Sequence, residues 1–461
     1  MSSQMQHPRR RVRQSSQPAS TTTYPPWTGG PIGSRSWLPG AQRQRYGEDI
    51  GLRQPVITED PTQRLLVAVT NDPAGNAFLN SLRSEQEELG FYFAGTLGEM
   101  LQQRGVANST FADELHDKFA FLEVLPGYDF AVMNGILRRG CAAKPPGGPF
   151  PDIDVEPDQR MRYAGSGLGP NFDLRSTGST HDQYLQLLNT SAAPSDGTGV
   201  VIAVVDSGFE KTGVLDGFLD LVEPKNKTEK DNFGHGTAMA SIIKDVAKGA
   251  KVYAVRMADQ GPDVSDAMLG MSAGSFHYAA DIINLSFGLP EGTACPHCGA
   301  HASVSRVFKR FLHSLSEKPI SGNGEPVLVA ATGNDGHTTG FDSPARWDFT
   351  VAVGSITNAR DRSSFSNYGT KLHSQYIMMP GGEEQNGSIT EWVGEATQKC
   401  YGTSAAAAYA SGVLALYMSD DKYQRTDRAT FLQDVLQQCQ QCNNHQTIEH
   451  GLGYLPYTPH P

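Results

Sequence analysis

The sequence predicts an α/β fold in which a parallel sheet is sandwiched by helices, preceded by a small α+β module. From Gly199 onward, short apolar segments such as 200–205 and 327–331 alternate with segments of helical character. Continuous apolar runs of this length are typical of strands that are buried on both faces of a sheet. Polar residues follow several of these runs, and the ends of parallel strands share one edge. We therefore expect a functional site at that edge.

Composition limits the class of protein. The chain has 461 residues, which is enough for two or three domains. Hydrophobic residues make up 38% and charged residues 19%, as in ordinary soluble proteins. The net charge of −11 argues against a nucleic-acid binder. No stretch approaches the roughly 20 apolar residues that a membrane-spanning helix needs.

The first segment, 1–60, is predicted to be a disordered basic arm. It has several Arg residues, many Ser, Pro and Gln residues, and no Asp or Glu before Glu48. A targeting presequence and an arm that contacts an anionic surface are the alternatives. The segment lacks the apolar core of a secretory signal, so we expect a cytoplasmic protein.

The next segment, 62–139, is predicted to be a compact α+β module. Its expected elements are a strand over 64–70, a helix over 77–102 with a break near Gly95, a strand over 118–125, and a strand or helix over 129–137. A linker and lead-in over 140–198 follows, because residues 140–151 are rich in Pro and Gly. A helix is expected over 181–188, and Arg138-Arg139 is a candidate processing site.

The remaining segment, 199–461, is predicted to be the α/β domain. Strands are expected over 200–205, 252–255, 282–286, 327–331 and 349–353, and helices over 236–244, 264–280, 303–315 and the residues after Ser404.

The chain is organised around Ser404, at the start of a run of small and apolar residues that predicts a buried helix. A hydroxyl there lies in a positive field beside backbone N–H groups that have no helical partner. This environment suits a nucleophile whose attack creates an oxyanion. A Ser in such a place is a helix cap in most proteins, so its interpretation depends on the residues upstream.

Two upstream stretches supply the groups that a serine nucleophile needs. Asp206 ends the first apolar strand, and His235 opens a helix in Gly234-His-Gly-Thr237. His235 is the candidate general base, and Asp206 the candidate residue that orients the imidazole. With their order along the chain of Asp, His and Ser, these stretches resemble the subtilisin-like serine proteases.

The resemblance covers about 199–420 and implies several further roles. Asn334, in Thr332-Gly-Asn334, would donate to the developing oxyanion alongside the Ser404 backbone N–H. The strand residues Ser286, Phe287 and Gly288 would pair with the substrate backbone. Thr332 and Gly333 would line the pocket for the substrate residue P1, whose carbonyl is attacked. The chemistry requires no cofactor, and no metal site is implied.

Asp342 lies in a segment that resembles the floor of the P1 pocket. A buried carboxylate there would favour Lys or Arg at P1 through charge pairing, whereas an exposed turn residue would have no such effect.

The six cysteines leave several interpretations open. Cys295 with Cys298, and Cys439 with Cys442, form two Cys-x-x-Cys pairs that together could hold a zinc ion. Free thiols and disulfides are the alternatives. Cys141 and Cys400 complete the set.

The predicted function is that of a serine endopeptidase that acts on proteins or peptides through an acyl-enzyme. The position and size of the module over 62–139 resemble an inhibitory propeptide, so a self-inhibited zymogen is the expected form. A structural or partner-binding module is the alternative for this segment. For the whole chain, the alternative is a catalytically silent binding or scaffold protein that keeps the same fold.

Overall fold

A computed structural model describes residues 64–70, 73–89, 91–106, 115, 117–125, 153–163, 179–210, 215–259, 261–290, 305–317, 325–383, 388–391, 397–423 and 426–459. The predicted basic arm, the element expected over 129–137, the Pro- and Gly-rich stretch and Arg138-Arg139 lie outside the described residues. Among the helices that are described, none is both long and apolar enough to cross a membrane.

The N-terminal module is a four-stranded antiparallel sheet with two helices. Its elements are β1 (Arg64–Val69), α1 (Pro73–Leu89), β2 (Phe91–Thr96), α2 (Leu97–Gln103), β3 (Phe119–Val124) and β4 (Ile153–Pro157), with strand order β2-β3-β1-β4. One face of the sheet packs against α1 through Leu65, Val67 and Leu79. The predicted α+β character is confirmed.

Two expectations for this region need correction. The segment predicted as a helix over 77–102 contains a strand, β2, because the aromatic residues of Phe91–Thr96 favour a strand within the module sheet. A capping box at Thr96 then starts a new helix, α2. The segment predicted as linker and lead-in supplies β4, which pairs with β1 from Leu65↔Pro157 to Val69↔Ile153. The module therefore includes residues beyond 139.

The second part of the fold is a seven-stranded parallel sheet. Its strands are β6 (Val201–Asp206), β7 (Gly217–Asp220), β8 (Lys251–Arg256), β9 (Ile282–Leu285), β11 (Val327–Ala331), β12 (Val351–Ile356) and β13 (Tyr376–Pro380). They lie in the order β13-β12-β11-β9-β6-β8-β7. The predicted parallel sheet is confirmed, although β7 and β13 were not expected.

Helices cover both faces of this sheet. One face carries α4 (His235–Val246), α7 (Thr403–Met418) and α8 (Arg428–Leu436), and the other carries α5 (Val264–Ser272) and α6 (Arg306–Ser316). Alternate residues of β6 enter the two cores, Ile202 and Val204 on one side and Ala203 and Val205 on the other. Helix α7 is buried along nearly its whole length, as its small residues predict.

The remaining described elements are short. They are β5 (Arg162–Tyr163), α3 (Ser179–Leu187), β10 (Phe287–Gly288), β14 (Ser388–Glu391), β15 (Thr397–Cys400) and α9 (Thr447–His450). The two parts of the fold are in direct contact, because the second face of the module sheet packs on α6 and helix α2 packs on α5. Phe119 of the module meets Phe311 of α6 edge to face, with ring centroids 5.6 Å apart.

Candidate active site

Three elements bring the predicted catalytic residues to one edge of the parallel sheet. Asp206 is the last residue of β6, His235 is the first residue of α4, and Ser404 is the second residue of α7. All three side chains are completely buried. Their convergence follows from the topology, because the chain enters each of these helices at the edge where the parallel strands end.

Asp206 and His235 form a direct hydrogen bond. The Asp206 Oδ1 atom lies 2.7 Å from the His235 Nδ1 atom, and it also accepts from the backbone N–H of Ser207 at 2.7 Å. Burial raises the pKa of the Asp206 carboxyl, and the neighbouring imidazole opposes that rise. The arrangement fixes the ring, with a proton on Nδ1 directed at the carboxylate.

Ser404 does not share a hydrogen bond with His235 in this structure. Its Oγ donates to the backbone carbonyl of Ser286 at 3.1 Å, while the Ser286 hydroxyl donates to the Ser404 carbonyl at 3.2 Å. Within the described part of the chain, the buried His235 Nε2 atom has no hydrogen-bond partner. The structure therefore contains the bond that orients the imidazole but not the bond between nucleophile and base.

Asp231 holds the start of α4 against the end of β6. Its Oδ1 accepts from the backbone N–H of Gly234 at 2.6 Å and from the Ser207 hydroxyl at 2.8 Å. Its Oδ2 accepts from the N–H and the hydroxyl of Thr237 at 2.9 and 2.7 Å. The carboxylate thus caps the helix that carries His235 and ties it to the residue after Asp206. Sequence reasoning missed this residue, although an Asp four positions before His235 is a recognisable capping signal.

Asn334 is fixed at the N-terminus of α7. Its Oδ1 accepts from the Thr403 backbone N–H at 2.9 Å and from the Thr403 hydroxyl at 2.8 Å. The same hydroxyl accepts from the Gly333 N–H at 3.2 Å. The amide group is therefore held one residue from Ser404, with its oxygen already engaged.

The residues predicted to bind substrate come together beside Ser404. Phe287 and Gly288 form β10, next to Ser286. Asp342 is buried, with 1% of its surface exposed, and its N–H donates to the Thr332 carbonyl at 3.0 Å. The structure thus places Asp342 in a buried position rather than in an exposed turn.

Comparison with known proteins agrees with this geometry. The family model described as the subtilase family matches residues 197–454. The chain belongs to the subtilase family.

Three relatives show how similar the chain is in sequence to known proteins. A cuticle-degrading protease of Metarhizium anisopliae is 28% identical over 326 residues, which cover 68% of this chain and 70% of the relative. Subtilisin E of Bacillus subtilis (strain 168) is 28% identical, with 48% of this chain and 56% of the relative covered. An extracellular serine proteinase of Thermus sp. (strain Rt41A) is 30% identical, with 48% and 51% covered. The chain spans about half the length of these two bacterial relatives. The matches support its assignment as a subtilisin-like serine endopeptidase.

A short strand of this subtilase covers its own site. Strand β5 pairs antiparallel with β10, with Tyr163 opposite Phe287 and Arg162 opposite Gly288. The Tyr163 ring stacks on the His235 imidazole with centroids 4.9 Å apart, and its hydroxyl donates to the Ala258 carbonyl at 2.7 Å. The strand therefore occupies the edge that was predicted to receive the substrate backbone. No local signal in the sequence indicated it, because the pairing joins residues far apart in the chain.

A group of side chains that could hold a metal ion lies in the cleft of the subtilase. Among the described residues, one group of three side chains, Asp335, His337 and Asp342, offers metal-ligand atoms that all lie within 4.8 Å of one another.

The structure does not test whether the cysteines form a zinc site. Cys141, Cys295 and Cys298 lie outside the described residues, and the described thiols of Cys400, Cys439 and Cys442 are free. Burial raises the pKa of Cys400 and of Cys442 to about 12, so both are protonated at neutral pH.

We expect Asp231→Asn to weaken both the fold and the site of the subtilase. An Asn side chain cannot accept from both the N–H and the hydroxyl of Thr237 while also accepting from Gly234. The unfolding free energy should fall by about 2–3 kcal/mol, since each buried donor left unpaired costs roughly 1–3 kcal/mol. Chemical denaturation in a Ser404→Ala background measures this change. The control is Asp348→Asn, because the Asp348 side chain is 79% exposed. An equal effect of both substitutions would contradict the role given to Asp231.

Proposed function

We propose that this subtilase cleaves internal peptide bonds of proteins, with Ser404 as nucleophile, His235 as general base and acid, and Asp206 as the orienting carboxylate. The observation that carries the proposal is the buried 2.7 Å bond between Asp206 and His235, at the edge where Ser404 begins α7. A carboxylate and an imidazole buried together are costly for the fold unless the surroundings compensate, and the Ser207 backbone N–H, which donates to Asp206, supplies part of that compensation.

The proposed reaction has two stages. The Ser404 oxygen attacks the substrate carbonyl, and its proton passes to Nε2 of His235. Asp206 stabilises the imidazolium, which then gives the proton to the leaving amine, so that an acyl-enzyme remains. Water attacks the ester while His235 takes its proton, and His235 then gives this proton to the leaving Ser404 oxygen, so that the acid product and the free Ser404 hydroxyl form. The Ser404 N–H and the Asn334 amide would stabilise the oxyanion of each stage.

The reaction requires the Ser404 hydroxyl to exchange its partner. In the structure the hydroxyl donates to the Ser286 carbonyl, so it must turn toward Nε2 of His235 before attack. A rotation about a single side-chain bond is the smallest change that redirects it, and staggered rotamers of Ser differ little in energy. Bonds between catalytic groups commonly form only in the substrate complex.

We further propose that the chain is self-inhibited through β5 and the N-terminal module. Substrates of this fold would add a strand to β10. The protein's own β5 already makes that pairing and places Tyr163 over His235, so substrate and β5 exclude each other.

The module is anchored at two helix N-termini. Glu156 of β4 accepts hydrogen bonds from the N–H groups of Arg306 and Val307 at 2.9 and 3.2 Å, at the start of α6. Asp158 accepts from the N–H and hydroxyl of Ser265 at 3.1 and 2.7 Å, at the start of α5. Carboxylates at helix N-termini are favourable, and these two hold the chain that leads directly into β5.

A silent scaffold is the second candidate, because the Ser404 hydroxyl engages Ser286 and because His235 is fully covered. A fluorophosphonate probe separates the two candidates. We expect the wild-type chain to be labelled covalently at Ser404, and Ser404→Ala to remain unlabelled. Asp206→Asn should lower kcat for peptide cleavage on the order of 10⁴-fold, because the imidazole loses the partner that fixes its tautomer. A chain that is folded but never labelled, as wild type and as Tyr163→Ala, would identify the scaffold.

Removing the Tyr163 ring that covers His235 should speed the reaction of Ser404 with the same probe. In Tyr163→Ala the ring stacked on His235 is lost, and we expect the full-length chain to be labelled about tenfold faster, since burying an aromatic side chain is worth roughly 1.5–3 kcal/mol. The matched control is Tyr92→Ala, which removes a partly buried ring from β2 of the module. If both variants are labelled at the wild-type rate, β5 does not restrain the site.

A further inference from the structure

The guanidinium of Arg162 in β5 lies between two carboxylates of the cleft. Its Nη2 atom forms an ion pair with Asp335 and lies 3.6 Å from Oδ2 of Asp342. The Arg162 side chain is 41% exposed, whereas the Asp342 side chain is only 1% exposed. The strand that pairs with β10 therefore places a basic side chain beside a buried acid.

Two glycines leave room for the buried carboxylate of Asp342. A Cβ atom at Gly288 would lie 2.7 Å from Cβ of Asp342, and one at Gly333 would lie 2.6 Å from its Oδ2. Side chains at either position would displace the carboxylate, and Gly333 also has a φ of +102°. The two glycines belong to segments already predicted to contact substrate.

Asn367 fixes the two carboxylates relative to each other. Its fully buried side chain accepts from the backbone N–H groups of Asp335 and His337 at 3.0 and 2.9 Å. The same amide donates to the Thr332 carbonyl at 3.2 Å and lies 3.3 Å from Oδ1 of Asp342. The acids thus form a fixed pair rather than two mobile surface groups.

The register of β5 relates this acidic pair to the scissile bond. Arg162 is opposite Gly288, and the carbonyl of Ser286, two residues earlier in the chain, is 3.1 Å from the Ser404 hydroxyl. A substrate residue opposite Ser286 would be P1, and one opposite Gly288 would be P3. Side chains two residues apart in a strand point to the same face, so P1 and P3 both face the acidic pair.

We propose that Asp335 and Asp342 form a subsite that selects substrates with Arg or Lys on the acyl side of the scissile bond, at P1 or P3. The inference rests on the proposed function and names the substrate class for it. When β5 leaves the cleft, Arg162 withdraws its charge from the pair. A guanidinium or ammonium group of the substrate then restores it, through charge-assisted hydrogen bonds that an uncharged side chain cannot make.

The test compares fluorogenic peptides that differ at one position. One series carries Arg, Lys, Gln or norleucine at P1, and a second carries the same residues at P3. The full-length protein is assayed as purified, and rates are expressed per Ser404 that reacts with a fluorophosphonate probe. We expect Arg and Lys to be preferred over norleucine by about tenfold or more in at least one series.

The variants assign the preference to the acids. Asp342→Asn and Asp335→Asn should each reduce the ratio of Arg to norleucine cleavage severalfold, while Asp348→Asn should keep the wild-type ratio. Because Asp335 is partly exposed, its variant decides the matter if Asp342→Asn fails to fold. Equal cleavage of basic and norleucine peptides by protein whose Ser404 is labelled would overturn the subsite alone. Absence of labelling, also in the uncovered variant Tyr163→Ala, would instead overturn the proposed function and the subsite with it.

Discussion

The hydrogen bond between Asp206 and His235 is the constraint on which the rest of the structure depends. It joins the end of the interior strand β6 to the start of α4, in a place where neither side chain is exposed to solvent. A buried carboxylate must be compensated by hydrogen bonds or opposite charge, so the surrounding backbone cannot vary freely. Asp231 stabilises the bond indirectly, because it holds the first turn of α4. Strand β6 holds the Asp206 carboxylate in position.

The same edge of the sheet holds both the proposed catalytic residues and the strand that we propose restrains them. Strand β10 offers backbone groups to any extended segment, and β5 satisfies them within the molecule. Glu156 and Asp158 hold the preceding residues at the starts of α6 and α5. The acidic pair near Gly288 engages Arg162 of that strand. One continuous segment, 153–163, thus docks the module on the two helices, covers His235 and pairs a basic side chain with the two acids.

Sequence reasoning succeeded where structure is dictated by short segments of chain. The strands of the parallel sheet are continuous apolar runs, and Asp206, His235 and Ser404 each stand at the end of such a run or the start of a helix. Asn334 and the residues around Gly288 followed from the resemblance to the subtilases. The family match over 197–454 confirms that resemblance.

Sequence reasoning failed where structure depends on distant contacts. Strand β2 lies between two helices, and the three elements were predicted as a single helix, because the aromatic residues of β2 fit a buried helix as well as a strand. Strand β4 is recognisable only through its pairing with β1, nearly 90 residues earlier. The position of Arg162 between Asp335 and Asp342, and of Tyr163 over His235, likewise depends on a pairing between β5 and β10 that has no local signature.

Mapping the N-terminus of the purified protein by mass spectrometry tests the central claim most directly. If the edge formed by Asp206, His235 and Ser404 is a working peptidase restrained by its own chain, wild-type protein should lose its N-terminal part by a cut on the carboxyl side of Ala164, the residue that the β5–β10 register, continued by one residue, would place opposite Ser286. The Ser404→Ala protein, prepared in the same way, should keep its original N-terminus. Identical N-termini in both preparations would contradict the account.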